Sequence, residues 1–192
     1  MRNGLLVPGL IMLMVLAVPA AAVTEHPWPI DQVLGRPDAP ITVIEYASLT
    51  CHHCALFDAD QLPRFKKEWI DTGKVRLIVR DYTRNPLDQA ASLIAQCSGR
   101  YFTFTDTYFH SQKNWMSAAQ PLNAIKGIAR LGGMSGEQID QCLGNQGLLA
   151  QINARTEDGQ RLYDIEGTPT FVVNGKPVKY DGVYEDLVKL LR

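Results

Sequence analysis

Two segments in the first half of the chain have the pattern of buried strands, and a helical pattern lies between them. Residues 41–46 and 75–82 are rich in β-branched and aromatic side chains, which are typical of strands inside a sheet. The helical pattern begins at Cys51 and continues to about residue 69, and Thr50 is placed to be its N-cap. This order predicts a right-handed βαβ unit with parallel strands. The side chains expected on the buried face of the helix are Leu56, Leu62, Phe65 and Trp69.

After residue 86 the pattern changes to a block of helices, and strands return near the C-terminus. Asn174-Gly175 stands between two strand-like segments, and this dipeptide favours the type I′ turn of a β-hairpin. The hairpin can extend the predicted sheet, and residues 184–191 close the chain as a short helix. The helices predicted for the block are 87–97, 101–109, 121–131, 137–143 and 147–163, and the hairpin strands are 170–173 and 176–179.

The composition is that of one globular domain, or of one domain with an insertion. Of the 192 residues, 46% are hydrophobic and 20% are charged, and the formal net charge is -1. A protein that binds nucleic acid usually carries an excess of basic residues, so we expect no nucleic-acid partner. The chain has 4 cysteines, too few to staple a fold of this length, so each cysteine needs its own explanation.

The first residues have the features of a secretory signal peptide. Residues 4–23 carry no charge, Arg2 precedes them, and Ala20-Ala21-Ala22 provides a cleavage site of small residues. We therefore expect a signal peptide over residues 1–22, cleaved after about Ala22, and a periplasmic protein. An uncleaved membrane anchor is the alternative, which Pro8 and Pro19 disfavour. Export would place the cysteines where disulfides form and persist.

Cys51-His52-His53-Cys54 lies at the predicted junction of the first strand and its helix. The free N–H groups and the dipole of a helix N-terminus stabilise an anion, which lowers the pKa of a thiol there and keeps Cys51 as a thiolate. Cys54, one turn further along, can then resolve a mixed disulfide. His52 and His53 are expected to add positive charge beside the thiolate. The motif therefore indicates thiol–disulfide exchange.

Other interpretations of the Cys-x-x-Cys motif are weaker. Haem attachment needs a histidine after the second cysteine, where this chain has Ala55. A zinc site needs further ligands, and a purely structural disulfide across so short a loop gains little stability. A protein that binds copper or zinc, or a holdase, using both thiols and the two histidines, remains the non-enzymatic alternative.

Two further positions each allow two interpretations. Glu45, on the first strand, either exchanges a proton with Cys54 or faces solvent at the sheet edge. Pro169 either starts a strand as an ordinary trans proline, or is a cis-proline beside the thiols that exposes the backbone of Thr168 to a substrate. The residues alone do not decide between these.

The combination of these features over about residues 37–192 resembles the DsbA-like thiol:disulfide oxidoreductases of the thioredoxin superfamily. The features are the leader, Glu45 ahead of the Cys-x-x-Cys motif, a helical block, and Gly167-Thr168-Pro169 before an Asn-Gly hairpin. The resemblance implies the α/β class, with a thioredoxin-like fold and an inserted all-helical domain. The core then comprises residues 23–84 and 164–192, and the insertion comprises residues 85–163.

The resemblance also assigns roles to residues. It implies Cys51 as nucleophile, Cys54 as resolving thiol, Glu45 as a buried carboxylate and Pro169 as a cis-proline that binds substrate together with Thr168. Some DsbA-like relatives carry a second bridge, which favours a structural disulfide between Cys97 and Cys142 over two free thiols. Closing that loop would contribute roughly 4 kcal/mol.

The function implied is donation of the Cys51–Cys54 disulfide to thiols of unfolded or folding exported proteins, with reoxidation by a DsbB-like membrane partner. No bound cofactor and no metal are implied. The alternative is an isomerase or reductase of the same superfamily. Thr168, the residue before the expected cis-proline, also resembles the residue found there in that branch. That branch dimerises through an N-terminal domain for which residues 23–39 are too short, so we expect a monomer. His52 departs from the proline of DsbA, which leaves the redox potential open.

Overall fold

The computed structural model describes residues 30–191. The signal peptide expected over residues 1–22, with its cleavage after Ala22, lies outside these residues. Within residues 30–191, no helix has both the length and the apolar character needed to span a membrane.

A five-stranded mixed sheet with strand order β1-β3-β2-β4-β5 forms the centre of the described chain. β2 and β3 are parallel, as the βαβ prediction requires, and β4 pairs antiparallel with β2. The predicted hairpin joins β4 to β5, and both Asn174 and Gly175 have the positive φ angles that a type I′ turn needs. The strands are β1 (Gln32–Leu34), β2 (Ile41–Ala47), β3 (Val75–Asp81), β4 (Thr170–Val173) and β5 (Lys176–Val178).

Alternation along β2 divides its buried side chains between the two faces of the sheet. Val43 and Ala47 belong to the larger apolar cluster, whereas Ile44 and Tyr46 belong to a smaller cluster on the opposite face. Glu45 shares the face of Val43 and Ala47 because side chains two residues apart point the same way. A carboxyl group is thereby placed inside the larger core.

The helical segment after β2 differs from a regular α-helix. It consists of α1 (His52–Leu56), a π-helical turn (Phe57–Gln61), α2 (Leu62–Phe65) and a second π-helical turn (Lys66–Ile70). A π turn holds an extra residue, which rotates the side chains after it around the helix axis.

The expected buried face of this segment was wrong in part. Phe65 is buried as predicted, and Leu62 and Trp69 are half-buried. Leu56 is 41% exposed, because the adjacent Phe57 takes the inward position and neighbouring residues point about 100° apart. Ile70 is buried beyond Trp69 in the second π turn.

Thr50 is not the N-cap of α1. Cys51 is the extended residue that precedes the helix, and no side chain caps it. The hydroxyl of Thr50 instead accepts a hydrogen bond of 3.0 Å from Asn85 Nδ2.

Six helices lie between β3 and β4. α5 was not predicted, because three of its five residues, Gln112, Lys113 and Asn114, are polar and give no helical hydrophobic pattern. Its Trp115 is buried and donates a 2.8 Å hydrogen bond to the carbonyl of Tyr108. The six are α3 (Pro86–Cys97), α4 (Tyr101–His110), α5 (Gln112–Met116), α6 (Pro121–Leu131), α7 (Gly136–Leu143) and α8 (Gln146–Tyr163), and α9 (Tyr184–Val188) follows β5.

The helical segment shares a hydrophobic core with the sheet. The larger apolar cluster is continuous from Val43 and Phe171 in the strands to Trp115 and Ile139 in the helices. A disulfide joins Cys97 at the end of α3 to Cys142 in α7, with an S–S distance of 2.03 Å. The sheet and the helices are therefore packed as one unit around the site.

Candidate active site

Cys51 lies where β2 ends and α1 begins, and its sulfur faces the helix N-terminus. The pKa of this thiol is lowered from 9.0 to about 5, most strongly by a hydrogen bond from Cys54 and also by the backbone N–H groups of Cys54 and His53. These effects outweigh the partial burial of the thiol, which raises its pKa. Cys51 is therefore a thiolate at neutral pH when the pair is reduced.

Cys54 is in the opposite situation. It is fully buried, and burial raises its pKa well above 9.0, with further contributions from the hydrogen bond to Cys51 and from the negative charge there. Both cysteines are free thiols in this structure. The pair is thus asymmetric, with one sulfur stable as an anion and the other stable only with its proton.

The Thr168–Pro169 peptide bond is cis, and the carbonyl group of Thr168 lies beside the sulfur of Cys51. Cys51 Sγ is 3.0 Å from the carbonyl oxygen of Thr168, a distance at which the protonated thiol donates a hydrogen bond. An open groove of about 600 Å³ begins at Thr168 and Pro169 and continues between residues 163–170 and 177–181. The nucleophile therefore contacts a residue of the proline loop, and that loop lines one side of the surface groove.

Glu45 is buried beneath the thiols, with 4% of its surface exposed, rather than facing solvent at a sheet edge. Burial, with smaller contributions from the charges of Asp58 and Cys51, raises its pKa from 4.5 to about 8. A small cavity of about 20 Å³, large enough for about one water molecule, is lined by Glu45, Asp58 and Asp81. Glu45 therefore carries a proton at neutral pH close to both cysteines.

His52 and His53 are exposed on α1, and their ring centroids are 5.9 Å apart. The group of His53 that lowers the pKa of Cys51 is its backbone N–H. The sequence motif therefore places both imidazoles at the protein surface beside the nucleophile, where a partner can contact them.

A protein-family model described as thioredoxin matches residues 29–192. The chain belongs to the thioredoxin family. The crystal structure of Wolbachia pipientis alpha-DsbA1 has a TM-score of 0.74 to this chain and 28% sequence identity. The aligned part comprises 86% of this chain and 90% of the Wolbachia chain. The expected thioredoxin-like α/β fold with a helical insertion is confirmed.

Two curated relatives carry names from disulfide chemistry. A putative protein-disulfide oxidoreductase of Rickettsia conorii is 34% identical over 162 residues, which are 83% of this chain and 58% of that protein. A probable disulfide bond formation protein D of Bacillus anthracis is 30% identical over 155 residues, which are 76% of this chain and 70% of that protein. The chain thus spans little more than half the length of the rickettsial relative.

Within residues 30–191 of this thioredoxin-family chain, one group of side chains has the spacing of a metal site. It consists of Asp58, Asp106 and His110, whose ligand atoms lie within 4.8 Å of one another. His110 Nδ1 is already 3.3 Å from the carboxylate of Asp106. The thiols of Cys51 and Cys54 are not part of this group, so the geometry does not favour the metal-binding alternative.

Two residues at the site were missed by the sequence analysis. Asp88 and Gln112, both from the helical segment, make buried hydrogen bonds to the turn that leads into Cys51. Asp88 could have been suspected, since it follows an Asn85-Pro86 helix start and lies among apolar residues. Gln112 is a polar residue in a polar stretch, and no sequence signal distinguishes it.

Proposed function

We propose that this chain is an exported thiol:disulfide oxidoreductase that donates the Cys51–Cys54 disulfide to thiols of translocated, folding proteins. The observation that carries the proposal is the asymmetry of the two thiols, because the pKa of Cys51 is lowered to about 5 while that of Cys54 is raised. A stable Cys51 thiolate favours the reduced pair, so the oxidised pair is a strong electron acceptor.

The first step is attack of a substrate thiolate on Cys51 Sγ of the oxidised pair. A bond forms between the substrate sulfur and Cys51, and the bond between Cys51 and Cys54 breaks. Cys54 leaves as a thiolate in a buried environment that disfavours its charge. Glu45, whose pKa of about 8 keeps it protonated, is the proposed donor of the proton that Cys54 takes up, either directly or through a water molecule.

In the second step another substrate thiolate attacks the substrate sulfur of the mixed disulfide. The substrate disulfide forms, and Cys51 leaves as its stable thiolate. Two electrons have then passed from the substrate to the enzyme, which ends as a dithiol. A leaving thiol of low pKa departs fast, so the lowered pKa of Cys51 serves this step as well.

The groove beside the cis peptide bond is the proposed substrate site. An extended substrate segment can pair with the backbone of Thr168 next to Pro169, which brings its cysteine to the sulfur of Cys51. His52 and His53, exposed next to the nucleophile, are proposed to contact the same segment. We assign Cys97–Cys142 a structural role within the helical segment.

Export, reoxidation and a monomeric state complete the proposal. The protein is expected in the periplasm after cleavage of residues 1–22, where a DsbB-like membrane protein would reoxidise Cys51 and Cys54 without a bound cofactor. Mass spectrometry of protein recovered from the periplasm is expected to find Val23 as the first residue. Recovery from the membrane fraction with the leader intact would contradict cleavage.

The equilibrium reduction potential of the Cys51–Cys54 pair against glutathione tests the proposed direction of exchange. We expect a value well above that of thioredoxin, which is about -270 mV. A value at or below that of thioredoxin would indicate a reductase instead. The variant Cys51→Ser is the control, because its Cys54 has no partner and the variant should show no redox transition.

A further inference from the structure

The turn from Ser48 to Cys51 determines where the nucleophile lies. The N–H of Cys51 donates a 3.0 Å hydrogen bond to the carbonyl of Ser48, which closes the turn between β2 and α1. Ser48 and Leu49 are buried beneath it. A shift of this turn would move Cys51 relative to both the N–H groups of α1 and the carbonyl of Thr168.

Gln112 holds the carbonyl groups of this turn. It begins α5, is 7% exposed, and its Nε2 donates to the carbonyl of Leu49 at 2.8 Å and to that of Cys51 at 3.0 Å. Both N–H bonds of one amide group are therefore directed at the turn. More than sixty residues of chain separate Gln112 from its two partners.

Asp88 holds the amide side of the same turn. Its carboxylate is fully buried and accepts from the N–H of Leu49 at 2.8 Å and from the hydroxyl of Ser48 at 2.5 Å. The N–H of Arg84 is a third donor, at 3.0 Å. Asp88 is part of α3, so the turn is fixed from two different helices of the inserted segment.

We propose that Gln112 is a positioning residue for Cys51, and that Asp88 is its counterpart on the other side of the turn. The inference rests on the proposed function, since it concerns the same thiol. Neither residue contacts the sulfur. They act by keeping the Cys51 backbone in the one place where the N–H groups of Cys54 and His53 point at the sulfur. The inserted helices thereby determine the reactivity of a cysteine that lies between β2 and α1, outside the inserted segment.

Gln112 gives the cleaner test because it is uncharged. Replacing it by methionine keeps the length of the side chain and removes both donors, without changing any charge near Cys51. Burial raises the pKa of Asp88 to about 6, so this carboxyl group is largely uncharged at the pH where Cys51 titrates, and removing its charge changes the Cys51 pKa little. Asp88→Asn removes one of the two acceptor oxygens that hold the turn, so a change in the Cys51 pKa in this variant reports the position of the turn, and it serves as the second test.

The experiment measures the pKa of Cys51 from the ultraviolet absorbance of its thiolate in the reduced protein. We expect Gln112→Met to raise this pKa by about one unit, a tenfold decrease in the acid dissociation constant of the thiol that corresponds to a reduction potential lower by about 30 mV. Gln160→Met, at an exposed glutamine of α8, is the matched control and should leave the pKa unchanged. Circular dichroism of each variant establishes that it is folded.

A folded Gln112→Met protein with lower stability but an unchanged Cys51 pKa would overturn the proposal, because Gln112 would then be merely structural. If Gln112→Met does not fold, Asp88→Asn decides, since positioning predicts a rise in the Cys51 pKa and a folded Asp88→Asn protein with an unchanged Cys51 pKa would overturn the proposal. The outcome is separate from the proposed function. An oxidising wild-type potential with an unaltered Gln112→Met thiol refutes the positioning role only, whereas a reducing wild-type potential refutes the oxidase role only.

Discussion

Replacing Glu45 by glutamine is expected to stabilise the reduced protein at neutral pH but not at about pH 4. The native carboxyl keeps its proton up to a pKa of about 8, whereas the unfolded chain loses it near the ordinary value of 4.5. The unfolded state therefore gains stability relative to the native state as the pH rises between these two values. Glutamine has the same shape and no charge, so its variant lacks this loss of stability.

The magnitude follows from the interval between the pKa of the unfolded chain and the pH of the measurement, because the native pKa lies above that pH. Between 4.5 and pH 7 the difference is about 2.5 pH units, and each unit corresponds to about 1.36 kcal/mol, so the variant should gain about 3 kcal/mol. Burial of Glu45 is essentially complete, so no reduction for solvent screening applies. A constant cost of burying the amide is the same at both pH values and cancels in their difference.

Urea unfolding of the reduced proteins at pH 4 and pH 7, followed by circular dichroism, measures the effect. Cys51 titrates in both proteins and its contribution largely cancels. Glu166→Gln, at an exposed glutamate, is the matched control and should show no comparable pH dependence. If the stability difference between wild type and Glu45→Gln is the same at both pH values, the native carboxyl is ionised and cannot donate a proton to Cys54.

Further variants test the hydrogen bond to Cys51 and the packing of α8 on the sheet. Cys54→Ala should raise the pKa of Cys51 by one to two units, because a hydrogen bond to a charged group contributes about 1.5–3 kcal/mol; an unchanged thiolate titration would show that the helix N-terminus suffices. Gly159→Ala should destabilise the protein by about 1–3 kcal/mol in a thermal melt, since its Cβ would lie 2.8 Å from the ring of Tyr46. Gly127→Ala, in a helix with open space around the new methyl group, should instead be neutral or stabilising, and equal losses at both glycines would contradict the packing argument.

The sequence predicted the parts of the fold that have a periodic hydrophobic pattern. The parallel pair of β2 and β3, the hairpin at Asn174-Gly175 and five of the six inserted helices all follow from local patterns. The position of the Cys-x-x-Cys motif at a helix N-terminus followed from the same reasoning. Burial of Glu45 also agrees with the alternation of β2. Because β3 and β4 pair with the two edges of β2, this strand is not at the edge of the sheet.

Other features depend on contacts between residues far apart in the chain, which leave no periodic trace. The two π-helical turns, Phe57–Gln61 and Lys66–Ile70, rotate the side chains that follow them around the helix axis, and no composition signal marks them. Thr50 has the residue type of an N-cap but bonds to Asn85 instead. Gln112 has the composition of a surface residue, and its role depends on two carbonyl groups that are remote in sequence. Tertiary context therefore decided these positions.

The two edge strands of the sheet bear on how such a protein could handle unfolded chains. Within the described residues β1 and β5 each contain only three residues, and Pro177 removes one hydrogen-bond donor from β5. Long unpaired edges attract the extended segments of other proteins and promote aggregation. An enzyme that repeatedly meets unfolded chains is protected when its edges are short. In the proposed function a substrate strand pairs with the backbone of Thr168 next to Pro169, while the short edges of the sheet offer little for the same strand to bind.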